Sequence, residues 1–268
     1  MELHALMRKV LTGLLIGLFS LPALASYISL QTTLRSKVEG NRLIVLVQTV
    51  NKGDESAFAV QAQVQAGGRA LLAEKRTELP VNAAYQARVS LPLTLKTPGT
   101  YPLMLVLHYA DANQYPFSAL SIQPFVYRRE AVPPLLGQMR PASFAKEGEV
   151  NLILKNTGQV PLKTMTRLIA PRELTVTNDQ RPLALAPRAQ ATATFRLSNF
   201  SALAGSTYQV YAVTEFEAGG LHYTGLIPGT IKIIAEQGLF GLSRVIMVGI
   251  LIALIALFVG AQFIKRGK

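Results

Sequence analysis

The chain of 268 residues contains no cysteine and no tryptophan, and only three histidines. Without cysteine there is no disulfide and no thiolate metal site, so a domain of this size has to be held together by its apolar core. One of the three histidines, His4, sits in the extreme N-terminal segment. That leaves His108 and His222, which are too far apart in sequence to form a local ligand cluster such as H-x-x-x-H. G-x-G-x-x-G, Walker-type and G-x-S-x-G patterns are also absent. Nothing in the sequence supplies the activated nucleophile, general base or phosphate cradle that catalysis requires. The reading is not an enzyme, with no cofactor and no metal.

Acidic residues are scarce: 15 against 27 lysines and arginines, for a net charge of +12. The basic residues are scattered, without long runs and without interleaved aromatics on which bases stack. Nucleic acid is therefore not an expected partner, whereas anionic glycans, headgroups or acidic proteins are.

Charge is also absent from residues 245–264, where Gln262 is the one strongly polar side chain. As a helix this stretch would span roughly 30 Å, one crossing of a bilayer's hydrocarbon core. Arg244 stands alone before it and Lys265, Arg266 and Lys268 follow, the basic excess that marks the cytoplasmic side. At the other end Arg8 and Lys9 precede an apolar run over 10–19. Ala23 and Ala25 then stand at the spacing signal peptidase reads, which predicts cleavage before Ser26. Left uncleaved, that run would be a second anchor with the same topology. Loss of Glu2, Arg8 and Lys9 on cleavage lowers the net charge by only one. The expected location is a bacterial cytoplasmic membrane, single-pass, with the bulk of the chain outside (periplasmic in a Gram-negative cell). Gly249 and Ala253, one turn apart, have the small-residue spacing that supports helix pairing.

Between these ends the chain reads as strands. Phe58, Val60, Ala62, Val64 and Ala66 alternate with Gln61, Gln63 and Gln65, and Tyr85, Val89 and Leu91 with Gln86, Arg88 and Ser90. Gly67-Gly68 and Gly219-Gly220 stand where hairpins need positive φ. Three stretches repeat at offsets of 105 to 107 residues: Asn51-Lys52-Gly53 with Asn156-Thr157-Gly158, "ARVSL" with "ATFRL", and "TYPLMLVL" with "TYQVYAVT". A unit of about a hundred residues is duplicated. The Asn-x-Gly pairs suggest turns with left-handed backbone. The division is 1–25 signal peptide, 26–128 first β-sandwich, 129–141 a stiff proline-rich linker, 142–236 second β-sandwich, 237–244 juxtamembrane, 245–264 transmembrane helix and 265–268 cytoplasmic tail. With about nine residues between the second unit and the bilayer, the second unit sits on the membrane and the first projects outward.

Asn51, Gly53, Gly99, Tyr101, Leu103 and Leu105, matched by Asn156, Gly158, Ser206, Tyr208, Val210 and Ala212, make the pattern resemble the immunoglobulin-like modules of CARDB and NEW3 type in prokaryotic envelope proteins. The resemblance implies an all-β fold of two tandem immunoglobulin-like β-sandwiches before the C-terminal transmembrane helix, and a binding or spacer role. The absent tryptophan and cysteine remove the Cys-Trp-Cys core of antibody-like domains.

Among candidate contacts, Tyr101, Leu103, Leu105, Leu107 and Tyr109 share one strand face and read as core. Tyr115 and Tyr223, near hairpin corners, remain as possible ligand contacts. Asp111 and Asn113 lack the further carboxylates of a calcium loop and read as a polar turn, as do Asp54 and Glu55. Asn199-Phe200-Ser201 matches the glycosylation sequon, a pattern frequent by chance. The expected function is a membrane-anchored extracytoplasmic scaffold that recruits an envelope protein, with binding of an anionic polysaccharide or cell-wall polymer as the alternative.

Overall fold

The computed structural model describes residues 27–236, 246 and 248–256. Ala23, Ala25, Ser26, Lys265, Arg266 and Lys268, and the ends of the 245–264 span, lie outside these residues. The described part is almost entirely strand. In chain order the first half holds β1 (Leu30–Glu39), β2 (Arg42–Asn51), β3 (Ala57–Ala66), β4 (Arg69–Leu72), β5 (Arg76–Leu79), β6 (Ala84–Pro92), β7 (Gly99–Ala110) and β8 (Pro116–Tyr127). The second half holds β9 (Leu135–Met139), β10 (Ala142–Phe144), β11 (Glu147–Asn156), β12 (Leu162–Ile169), β13 (Leu174–Thr177), β14 (Gln180–Leu185), β15 (Gln190–Asn199), β16 (Thr207–Ala218) and β17 (Leu221–Ile233).

Alternation along these strands builds two separate cores. Strands β1-β2-β6 form one layer and β8-β7-β3, with β4 and β5 beyond, the layer facing it. Leu43, Val45, Val64, Tyr85, Leu91, Leu103, Leu105 and Leu107 are buried between them. The same plan recurs with β13-β15-β11-β9 facing β14-β12-β16-β17, around Val150, Leu152, Leu154, Phe195, Leu197, Val210 and Ile231. In the second half the first strand divides: β9 pairs antiparallel with β11, then β10 crosses to pair parallel with β17.

Three expectations need correction. The 129–141 stretch is no free linker, because Leu135–Met139 joins the sheet as β9 and Ala131 is buried, its N–H donated to Thr100 Oγ1 at 3.1 Å. Phe58 does not share a face with Val60: β3 carries a bulge between Phe58 and Gln61 with Ala59 at φ 53°, and Ala57 takes the buried place. Nor do the Asn-x-Gly pairs use left-handed backbone, since none of the four residues has positive φ, whereas Gly67, Gly68, Gly219 and Gly220 do.

What the Asn-x-Gly pairs do instead is brace the core. Asn51 Nδ2 donates to Glu55 O at 2.7 Å and Leu79 O at 3.1 Å, and its Oδ1 accepts from Gly53 N at 3.0 Å. Asn156 repeats this with Val160 O at 2.7 Å, Leu185 O at 3.3 Å and Gly158 N at 2.8 Å. Both asparagines have 0% exposure. Each ties the turn after one strand to the end of a strand in the facing layer, giving the strand-end carbonyl of Leu79 or Leu185 a buried donor. At Gly53 a Cβ would lie 2.2 Å from Tyr27 O, so space sets that glycine.

Of the C-terminal segment, Ile246 and residues 248–256 are described as helical and exposed. Among the described residues no helix is long and apolar enough to cross a membrane.

Candidate functional site

Beads on a string, with the first unit outermost, is not the arrangement found: the two halves lie side by side. Met104, Val106, Leu120 and Ile122 project from the outer face of β7 and β8. They pack on Ile169, Tyr211, Val213 and Leu226 from the outer face of β12, β16 and β17. Leu120, Ile122, Tyr211 and Val213 are buried, worth roughly 6–12 kcal/mol in all as an upper bound at ~1.5–3 kcal/mol per side chain. Burial pushes the Tyr211 hydroxyl above its ordinary pKa, and a hydrogen bond with the backbone of Ile122 opposes that shift.

Polar contacts close both ends of this joint. At one end the imidazole of His222 stacks on Tyr101, ring centroids 3.9 Å apart and planes within 5°. Its Nδ1–H donates to Thr100 O at 2.9 Å and Nε2 lies 3.5 Å from Glu215 Oε1. Thr224 Oγ1 donates to the same Thr100 carbonyl at 2.8 Å, and His222 N to Pro98 O at 2.9 Å. Gly99 makes the approach possible. Its φ is 152°, and a Cβ there would lie 2.1 Å from His222 O.

At the other end Glu173, with 0% exposure, accepts from the N–H of Ser118 and from Ser118 Oγ at 2.6 Å. Arg172 N donates to Ser118 Oγ at 3.1 Å, and Tyr115 Oη to Ser201 O at 2.6 Å. A buried carboxylate is tolerated where two charge-assisted donors replace its water. Beside it, His108 Nε2 lies 3.0 Å from Gln63 Oε1. Burial, and next the nearby Arg172, hold the His108 pKa below its ordinary value, with Glu173 opposing.

The joint takes up His222 and Tyr115, while His108 and Tyr223 make their contacts within their own halves. Tyr115 spends its hydroxyl on Ser201 and its ring on Phe117, 5.1 Å away; Tyr223 stacks on Phe216 at 4.9 Å against the second core. The structure brings neither together with the other, nor His108 with His222. Tyr101 is buried as expected, while Tyr109 is partly buried against Phe117 at 5.5 Å. Asp111 Oδ1 accepts from Tyr115 N at 2.8 Å, a hairpin contact. Among the described residues no group of three or more His, Asp or Glu is placed to hold a metal. A cleft of about 790 Å³ opens beside the joint, bounded by Tyr27, Glu55, Tyr109, Ser118, Glu173 and Leu203. Its central carboxylate, Glu173, is already committed to Ser118.

Away from the joint, the outer face of β1-β2-β6 is basic. Register places Arg35, Leu46 and Arg88 in one row and Lys37, Ile44 and Ser90 in the next, with Arg42 at the end of β2. Arg42 is tied to Ser90 Oγ at 2.7 Å, and Lys37 pairs with Glu39 at 3.1 Å. The row is flat, without an exposed tyrosine.

No protein-family model matches the sequence, and no curated protein is similar to it. Solved structures similar to the chain are distant β-rich proteins. A native-conformation α2-macroglobulin of E. coli is 13% identical with a TM-score of 0.31, covering 77% of this chain and 17% of its own. Red sea bream transglutaminase is 15% identical with a TM-score of 0.27, covering 78% and 31%. A protein of unknown function from Porphyromonas gingivalis W83 is 12% identical with a TM-score of 0.29, covering 76% and 99%. The chain thus spans less than a third of the first two.

Proposed function

We propose that this chain is an envelope scaffold: two immunoglobulin-like sandwiches of the CARDB or NEW3 kind, held outside a bacterial cytoplasmic membrane by a helix over 245–264, that recruits a protein partner and performs no catalysis. The strand order β1-β2-β6 against β8-β7-β3-β4, with its counterpart in the second half, supports the immunoglobulin-like reading. The observation that carries the scaffold reading is the joint. It uses His222, Tyr115 and Glu173 as internal struts, and among the described residues the ten-residue strand β1 is paired on one side only, with β2. A long open strand edge on a stiff body recognises proteins by adding a strand, and a membrane tether raises the effective concentration near a membrane complex.

The basic face carrying Arg35, Lys37, Arg42 and Arg88 favours the second reading, an anionic polysaccharide held near its synthesis or export machinery. Affinity purification of the full-length, detergent-solubilised protein in mild salt separates the two. A stoichiometric envelope protein, retained as salt rises, supports the scaffold. Acidic glycan without a protein, released steeply by salt and by Arg35→Ala with Arg88→Ala, sinks that reading in favour of the second.

A further inference from the structure

Four exposed large apolar or aromatic side chains gather at one end of the molecule: Tyr27 (58%), Phe200 (78%), Leu203 (45%) and Ile234 (46%). Tyr27 and Leu203 border the cleft beside the joint. Leu203, Phe200, Lys146 and Glu236 border the next depression, where Lys146 Nζ and Glu236 Oε2 pair at 3.2 Å. The loop between β15 and β16 is held in place from both sides. Asn199 Nδ2 donates to Ala202 O at 3.0 Å and Ala145 O at 3.1 Å, and Gly205 N donates to Ile233 O at 2.7 Å. Phe200 is therefore presented on a fixed turn, with its ring left outside both cores.

Two features say what covers this end. The first is where the chain goes. The second core's last strand ends at Ile233, beside this loop, and only eight residues, 237–244, then separate Glu236 from the uncharged 245–264 stretch, a reach of ~30 Å at full extension. The second is the opposite terminus. Tyr27 lies at the same end, one residue beyond the expected cleavage site before Ser26; left uncleaved, the apolar 10–19 run would precede it closely in sequence. Side-by-side packing is what brings the first half's Tyr27 and its 111–115 hairpin level with the second half's 199–206 loop. The uncharged 245–264 stretch thus follows closely in sequence on the strand that ends at this tip. Its protruding residues are the aromatic and aliphatic types that settle at the boundary between headgroups and acyl chains.

We infer that the tip formed by Tyr27, Phe200, Leu203 and Ile234 rests in the lipid surface, so that both halves of the molecule stand side by side on the bilayer. This rests on the reading of 245–264 as a membrane anchor. Phe200 and Leu203 act as a shallow apolar foot that fixes the orientation of the body, leaving the β1 edge and the basic face accessible from the side. Because the contact is apolar, zwitterionic lipid suffices.

The absence of tryptophan gives a clean test. The full-length chain is reconstituted into phosphatidylcholine nanodiscs carrying one tryptophan at a time: Phe200→Trp at the tip, Val160→Trp in the exposed 157–161 loop at the far end, and Ile252→Trp in the apolar segment. Matched discs contain brominated acyl chains. The expected result is blue-shifted, bromine-quenched emission at position 200, solvent-like unquenched emission at 160 and strong quenching at 252. If 252 is quenched while 200 matches 160, the anchor stands and the docked tip is overturned. A blue shift at 200 without quenching means a protein surface covers the tip, which also overturns it. If 252 is not quenched, the anchor reading itself fails and the inference falls with it. Phe200 projects from both cores, so its replacement leaves the fold intact; unchanged far-ultraviolet β-sheet dichroism checks this.

Discussion

Replacing Asn51 by alanine removes three hydrogen bonds at a site with no solvent access: two donated by Nδ2, to Glu55 O and Leu79 O, and one accepted from Gly53 N. A neutral hydrogen bond contributes ~0.5–1.5 kcal/mol net, and a buried group left unpaired costs about 1–3 kcal/mol. Alanine leaves Leu79 O in the core without this donor, so the expected loss is about 3 kcal/mol. With a urea m-value of ~1–3 kcal/mol/M, the midpoint falls by roughly 1–3 M in urea titrations followed by near-ultraviolet tyrosine dichroism. Asn51→Asp is the sharper perturbation. It keeps the acceptor for Gly53 N but turns carboxylate oxygens toward Glu55 O and Leu79 O, so at neutral pH it should be no more stable than alanine. Asn156→Ala should match Asn51→Ala in size, because Asn156 makes the same contacts with Val160, Leu185 and Gly158. Hydrogen exchange should place each loss in its own half. If Asn51→Asp is as stable as the parent chain, or if Asn51→Ala costs less than about 1 kcal/mol, the asparagines are turn formers only and the bracing argument is wrong.

Ser118→Ala takes the hydroxyl donor from the buried Glu173 carboxylate and should cost about 1.5–3 kcal/mol, seen as faster hydrogen exchange in β8 and the 171–174 turn with both cores still protected. Burial, with Glu173 adding to it, pushes the Tyr109 phenol from 10.0 up to about 12. The folded state holds that proton more tightly than the unfolded chain, so the associated stability is complete below about pH 10 and is lost by about pH 12; Tyr109→Phe should flatten this limb of the denaturation profile. His108 has the opposite sign. Burial and then Arg172 depress its pKa, so its contribution is present above the ordinary value of 6.5 and fades as pH falls below it. Acid should therefore loosen the Glu173 end of the joint first, with Gln63, Arg172 and Glu173 as the groups around the ring, and His108→Gln should remove that sensitivity in exchange measurements.

Much of the all-β character was legible because period-two alternation reports which side chains face a core: Tyr85, Val89 and Leu91 on β6, and Tyr101, Leu103, Leu105 and Leu107 on β7, are buried as that pattern requires. The duplication was legible through Asn51 and Asn156, but its cause was not. Turn statistics suggest left-handed backbone, whereas the side-chain amide bridges to a strand far away in sequence, a partner no local pattern displays. The joint was missed for a related reason. Reading one face of β7 and β16 as core leaves Met104, Val106, Tyr211 and Val213 unassigned on the other. The signal was present in the unbroken apolar runs 103–107 and 210–213, since a strand that is apolar on both faces is covered on both faces. Pro133 and Pro134 do not continue a strand well and pointed to a linker, yet the chain re-enters the sheet at Leu135.

The joint also changes what a hundred-residue duplication means mechanically. Two sandwiches joined end to end by a short linker move relative to each other, since small polar interfaces between domains leave relative motion as the default. Here eight apolar side chains meet face to face, and the bonds at Thr100 and Ser118 close the two ends of the interface. Hinging would have to expose Leu120, Ile122 and Tyr211 together and strip Glu173 of its donors. The cost is borne at once rather than in stages, so the pair should open cooperatively or not at all on the timescale of binding. A body of this kind fixes the direction in which β1 points relative to the tip at Phe200. On the proposed scaffold reading, that direction would decide which partners can reach the β1 edge.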